Sequence, residues 1–280
     1  YSDGNGNEVH SRYLRWSGNA ALGWTPDERT RLELSGALSD GEAAYADRAM
    51  DGVKFARDNL GLRFERQLAG PHVQAIEAQA YYNYVDHVMD NYSLRAFAPS
   101  MTMPFRSVSN PDRETTGGRF TADLAFGERI TATVGVDLQE NRHSLRSTMN
   151  ESMMPYEKMK RAEDGRFRNA GVFGELTLAA GPSGRVITGL RIDDWYAQDS
   201  REMLRVGMTA VPNPTADEER NATLFGGFGR YEHDLADGPF TVFAGLGHVE
   251  RFPDYWELLA AGKETASGLS AFHARPEKTT

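Results

Sequence analysis

The stretch YYNYVDHVMDNY, residues 81–92, closes an alternating, tyrosine-rich run with a histidine and a methionine two positions apart, His87 and Met89. In an extended strand, residues i and i+2 point to the same side. The pair therefore presents an imidazole and a thioether in one direction, a donor set that suits a soft ion such as copper. Two donors do not close a site, because a buried copper ion takes three or four. The rest have to come from elsewhere in the chain or from a separate domain. The competing interpretation is a solvated histidine beside a packed methionine.

A second source of sulfur is more diffuse. The chain has 10 methionines, and all lie outside the expected strand centres: Met50, Met89, Met101, Met103, Met149, Met153, Met154, Met159, Met203 and Met208. Methionine ordinarily fills irregular gaps in cores, and thioethers in exposed loops are liable to oxidation. One compensating use is transient capture of a soft ion, above all at Met101, Met103, Met149, Met153, Met154 and Met159. For any single methionine, loop packing explains its presence as well.

The elements that position these residues alternate with period two from one end of the chain to the other. Residues 129–143 place Ile130, Ala132, Val134, Val136 and Leu138 on one face against Thr131, Thr133, Asp137, Gln139, Asn141 and His143. The same pattern runs through 13–24, 32–38, 60–64, 120–126 and 170–178, and it predicts strands. About ten strands are expected by these rules, with an eleventh starting near Arg275. In 77–89 the odd positions are polar at their start, so His87 and Met89 share the polar side with Glu77, Gln79, Tyr81 and Asn83.

Connections alternate in length. Short turns are expected near 25–29, 70–72, 127–129, 181–184 and 236–239, and long polar loops over 41–52, 90–114, 147–165, 202–219 and 253–273. Long loops gathered at one end and tight turns at the other describe an outer-membrane barrel. Trp16 and Trp24 fall on one apolar face, roughly 20 Å apart along the membrane normal in a tilted strand. That spacing fits aromatic girdles, although two core tryptophans of a soluble sandwich would also explain it. The reading is all-β, an antiparallel transmembrane β-barrel. Its strongly polar inner face requires a wide barrel, of which 280 residues form a part.

Composition narrows the rest. Hydrophobic residues make up 40%, the formal net charge is −9 and mean hydropathy is −0.56. No basic stripe stands out, which argues against nucleic acid as a partner. There is no cysteine, hence no disulfide framework and no thiolate ligand. Other motifs fail on inspection. DGNGNE (3–8) imitates an EF-hand start, but Glu8 stands where the loop needs glycine. His143 and Ser144 are adjacent and point to opposite faces, so they cannot form a hydrolase pair.

Four segments carry a family resemblance: HVERFPDYWELL (248–259), LELSGALSDGEAAYADRAMDG (32–52), LGLRFER (60–66) and VDHVMDNYSLR (85–95). They resemble the TonB-dependent copper receptors of Gram-negative outer membranes, the OprC/NosA type, and the likeness runs along most of the chain. It implies a 22-strand barrel plugged by an N-terminal domain, with TonB delivering energy from the inner membrane. It also implies copper as the transported ion; the sulfur donors favour Cu(I), with Cu(II) possible. Its ligands are a His-x-Met pair on the barrel and a Cys-x-x-x-Met pair on the plug. The barrel half corresponds to His87 and Met89; the plug half has no counterpart here. The expectation is therefore a fragment over 1–280, a partial barrel lacking plug and closing strands, embedded in outer-membrane lipid. Two rival functions are a TonB-dependent receptor for a siderophore or other metal chelate, and a passive porin or adhesion barrel. An outer-membrane enzyme is a weaker third, since no nucleophile is assembled.

Overall fold

The computed structural model describes residues 1–206, 209–235, 239–260 and 267–280. Eleven strands form one sheet, each hydrogen-bonded to its neighbour in sequence order apart from a short inserted hairpin. They are β1 (Arg12–Asp27), β2 (Thr30–Ala44), β3 (Asp51–Gln67), β4 (Val73–Asp90), β5 (Val108–Phe126), β6 (Ile130–Thr148), β7 (Ala162–Ala179) and β8 (Gly184–Asp199). After the hairpin β9 (Met203–Val206) and β10 (Thr209–Pro212) come β11 (Glu219–Asp234), β12 (Thr241–Arg251) and β13 (Glu277–Thr279). Every pairing is antiparallel, and β1 and β13 sit at opposite ends of the strand order. This is a curved wall and not a closed cylinder, as the partial-barrel expectation required.

Strand length fits a membrane wall. β4 has 18 residues and β5 and β6 have 19 each, where an ordinary strand has about 5–6 and a bilayer crossing needs about 9–11. The surplus carries each strand well beyond the lipid. No helix is long and apolar enough to cross a membrane.

Register assigns the two faces. Along the outer face, Leu190 on β8 and Val172 on β7 are 72% and 62% exposed although both strands lie inside the sheet. Leaving such side chains in water forgoes roughly 1.5–3 kcal/mol apiece, which a lipid environment recovers. Trp16 and Trp24 also stand exposed, opposite Asp40 and Leu32. The inner face is polar: Arg63 pairs with Glu77 at 2.8 Å, and Arg191 with Asp137 at 2.8 Å. Large inner side chains are matched to glycine on the facing strand. Tyr81 lies opposite Gly117, Phe173 opposite Gly135 and Phe228 opposite Gly189. A Cβ at any of these glycines would strike the ring across from it.

The turns match the expected alternation. Gly127 and Gly181 adopt φ of +68° and +86° in two of the short ones, a conformation open to glycine and strained for other residues. Most of the turn expected at 236–239, Met208 and part of the last long loop lie outside the described residues. The strands run further than the alternation predicted, so β2 and β3 leave only 45–50 between them. The β9–β10 hairpin was not foreseen. The main apolar cluster sits against the inner wall at the loop end. There Phe167, Ala197 and Leu224 receive Phe252, Leu258 and Phe272 from the loop after β12, whose short helix α1 covers Tyr255–Leu258.

Candidate metal site

His87 and Met89 lie near the loop end of β4, two apart in continuous strand, with their partners assigned by register. Phe55 faces His87 across the β3–β4 ladder, and Gly52 faces Met89. A regular ladder would put Val53 opposite Met89; the register instead shifts by one residue between Gly52 and Lys54. Such a bulge re-aims side chains without ending the pairing. Counting forward along the inner row from Tyr81 through Asn83 and Val85 reaches His87, so the imidazole belongs to the inner face.

The imidazole is not a solvated group. Its ring stacks on Phe55 with centroids 4.4 Å apart and planes 24° from parallel. Nε2 is buried and has no hydrogen-bond partner. A buried polar atom without a partner is uncommon and calls for an explanation. The strand backbone here is pinned from the next strand: Asn110 on β5, fully buried, donates Nδ2–H to the His87 carbonyl at 3.0 Å and to Asp86 at 2.6 Å.

Above the pair, a buried carboxylate ties three segments together. Asp51 is fully buried and accepts from Arg95 Nε at 2.8 Å, from the Tyr45 amide at 2.9 Å, and meets His10 Nε2 at 2.9 Å. It thus gathers the N-terminal segment, loop 45–50 and loop 91–107. Its hydrogen bond raises the Arg95 guanidinium above its ordinary range, so the cation is permanent. Asp90, opposite Asp51, caps the start of the second loop through the amides of Tyr92 and Ser93 at 3.0 and 2.8 Å.

The loop methionines divide into two groups. Met101, Met153, Met154 and Met159 are exposed, Met101 to 96%. Met103 and Met149 are half-buried along a seam where loop 91–107 meets the loop 149–161 between β6 and β7. Glu151 N–H donates to Arg106 O at 2.8 Å, and Ser107 Oγ donates to Met149 O at 3.3 Å. Met103 Sδ accepts a weak bond from Asn91 Nδ2 at 3.8 Å. Among the described residues no group of three or more His, Asp, Glu or Cys side chains could hold a metal. What the arrangement offers is a nitrogen and a sulfur on one wall, beneath loops that carry further thioethers.

Phe55, Gly52 and Asn110 were not singled out in the sequence. Parity alone puts Phe55 inward, since Leu60, Leu62 and Phe64 face out, but its contact with His87 depends on strand register.

The whole chain, residues 1–280, matches the family model described as TonB dependent receptor-like, beta-barrel. No curated protein sequence matches it. Among solved structures it superposes on the copper transporter OprC with a TM-score of 0.93 at 45% identity, covering 99% of this chain and 43% of that one. It is also similar to the hemophore receptor HasR of Serratia marcescens, with a TM-score of 0.70 at 15% identity over 97% of this chain and 42% of that one. A third likeness is to the ferric-catecholate import receptor Fiu of E. coli K12, with a TM-score of 0.66 at 12% identity over 96% of this chain and 48% of that one. The last two bear on fold alone. The chain spans less than half the length of each of these structures.

Proposed function

This chain belongs to the TonB-dependent receptor-like β-barrel family of the Gram-negative outer membrane, and on that premise we propose that it forms the ion-recognising wall of a copper importer. The observation that carries the reading is the buried, unpartnered Nε2 of His87, two residues from the thioether of Met89 on one strand. Support also comes from the 45% identity to the copper transporter OprC.

Copper is the cargo. Exposed thioethers of the external loops, Met101, Met153 and Met154 first, take it from solution, and His87 with Met89 receives it at the inner wall. Nitrogen and thioether donors favour Cu(I) and discriminate against hard cations such as Mg2+ and Ca2+. A two-donor wall site holds the ion loosely enough to pass it on. The remaining ligands come from a plug domain, and the TonB complex drives release inward. A siderophore receptor on the same fold would leave the free electron pair of His87 without a purpose, and no particular residue here favours that alternative.

The test is copper stoichiometry and affinity of the full-length receptor carrying His87→Ala or Met89→Ala. Loss of high-affinity copper in both supports the assignment; undiminished copper in both removes it.

A further inference from the structure

The aromatic ring against His87 has a seat built for it. Phe55 lies opposite His87, and its ring reaches over Gly52, where a Cβ would strike the ring. The register shift at this point brings Gly52, and not Val53, opposite Met89. Bulge, glycine and aromatic ring therefore act together: the bulge delivers the glycine, the glycine leaves the space, and Phe55 fills it while stacking on the imidazole at 4.4 Å. Stacking on a ring face leaves the edge nitrogens free while it limits rotation of the ring. The strand backbone is held separately, through the Asn110 bond to the His87 carbonyl.

We infer that Phe55, seated on Gly52, is the positioning residue that aims the His87 ring for copper capture. The inference rests on the copper reading above. Its physical basis is that groups which fix the orientation of a metal-binding histidine usually matter to affinity about as much as 10–100-fold, although they never touch the metal. Here an apolar ring face does this work: the stack covers the face of the imidazole and leaves the in-plane direction of the unpartnered Nε2 clear.

The experiment uses the full-length receptor and copper ions, with affinity measured by chelator competition. Imidazole scattering in the copper X-ray absorption spectrum reports ring geometry. Phe55→Leu is expected to weaken copper binding about tenfold and to blur the imidazole signal, while Phe55→Tyr restores both to within about twofold. Gly52 has an ordinary backbone conformation, so Gly52→Ala acts only by displacing the ring and should match Phe55→Leu. The double variant should be no worse than either single one, since the two changes remove the same contact. If Phe55→Leu reduces barrel yield, Phe55→Ile carries the same test. Unchanged affinity and spectrum in these variants, with copper still lost in His87→Ala and Met89→Ala, would reduce Phe55 to packing and leave the site intact. Copper binding unaltered in those two alanine variants would instead remove the site, and this inference with it.

Discussion

Tyr255 lies flat on His143, with ring centroids 3.9 Å apart and planes 8° from parallel. One ring belongs to the loop helix α1 and the other to the inner face of β6. Tyr255 Oη donates to Asp164 on β7 at 2.8 Å, and Phe167 meets the same ring edge-on at 6.2 Å. Burial, followed by the Asp164 charge, raises the Tyr255 phenol above its ordinary range, so it stays a donor at any physiological pH. The contact holds the last long loop against the inner wall.

Tyr255→Ala should therefore release that loop, at a local cost of roughly 2 kcal/mol, somewhat below a full aromatic deletion. Tyr255→Phe keeps the stack and loses one hydrogen bond, about 1 kcal/mol. Limited proteolysis within 252–260 of the intact receptor ranks the three proteins; equal cutting rates would rule out the docking role.

At Met89 the question is whether sulfur or volume matters. Met89→Leu conserves bulk and removes the donor, so copper affinity should fall about as far as in Met89→Ala, at least roughly tenfold. If the leucine variant binds copper as the parent does, methionine serves packing alone.

Acid separates the ligand from the loop anchor. On the proposed reading copper and a proton compete for His87, and because burial holds its imidazole below the ordinary range, affinity should drop only as pH falls below that range. Glu257 behaves differently: its bond from Arg251 depresses its carboxyl from 4.5 to about 2. A depressed carboxyl contributes in full above its unfolded value and loses that contribution only as pH falls through the folded one. As pH falls below the ordinary imidazole range, copper should leave before the capping box of α1, Asp254 with Glu257, is lost. Copper titrations and proteolysis at falling pH check both halves.

Asp51 anchors three segments from a fully buried position. Asp51→Ala strands the Arg95 guanidinium and should cost on the order of 3 kcal/mol. Amide exchange should rise together in 45–50 and 91–107, and exchange confined to one of the loops would count against a shared anchor.

Exposed loop sulfur should affect delivery more than retention. Met101→Leu, Met153→Leu and Met154→Leu combined are expected to slow copper accumulation several-fold at scarce copper, with the equilibrium affinity of the receptor unchanged. A matching fall in affinity would place a loop thioether in the site.

The strands, their faces and the short–long rhythm of connections were legible because a membrane wall enforces period two along every strand. The inner placement of His87 followed from the same parity. What parity cannot supply is register across strands. Gly52 reads as an ordinary loop glycine until the shift at Val53 sets it opposite Met89. Tyr255 likewise gives no local sign of the histidine it covers, which lies across the wall on β6. The β9–β10 hairpin escaped notice because four-residue strands are too short to establish a period.

The matched pairs on the inner wall, Tyr81 with Gly117, Phe173 with Gly135 and Phe228 with Gly189, also act as a proofreading device during assembly. A strand that slides by one position turns its greasy row inward, and one that slides by two keeps its faces but sets each bulky ring opposite a neighbour that is not glycine. Misthreaded intermediates are thus penalised at several heights at once, and the sheet can zip only along the single alignment in which every key meets its lock.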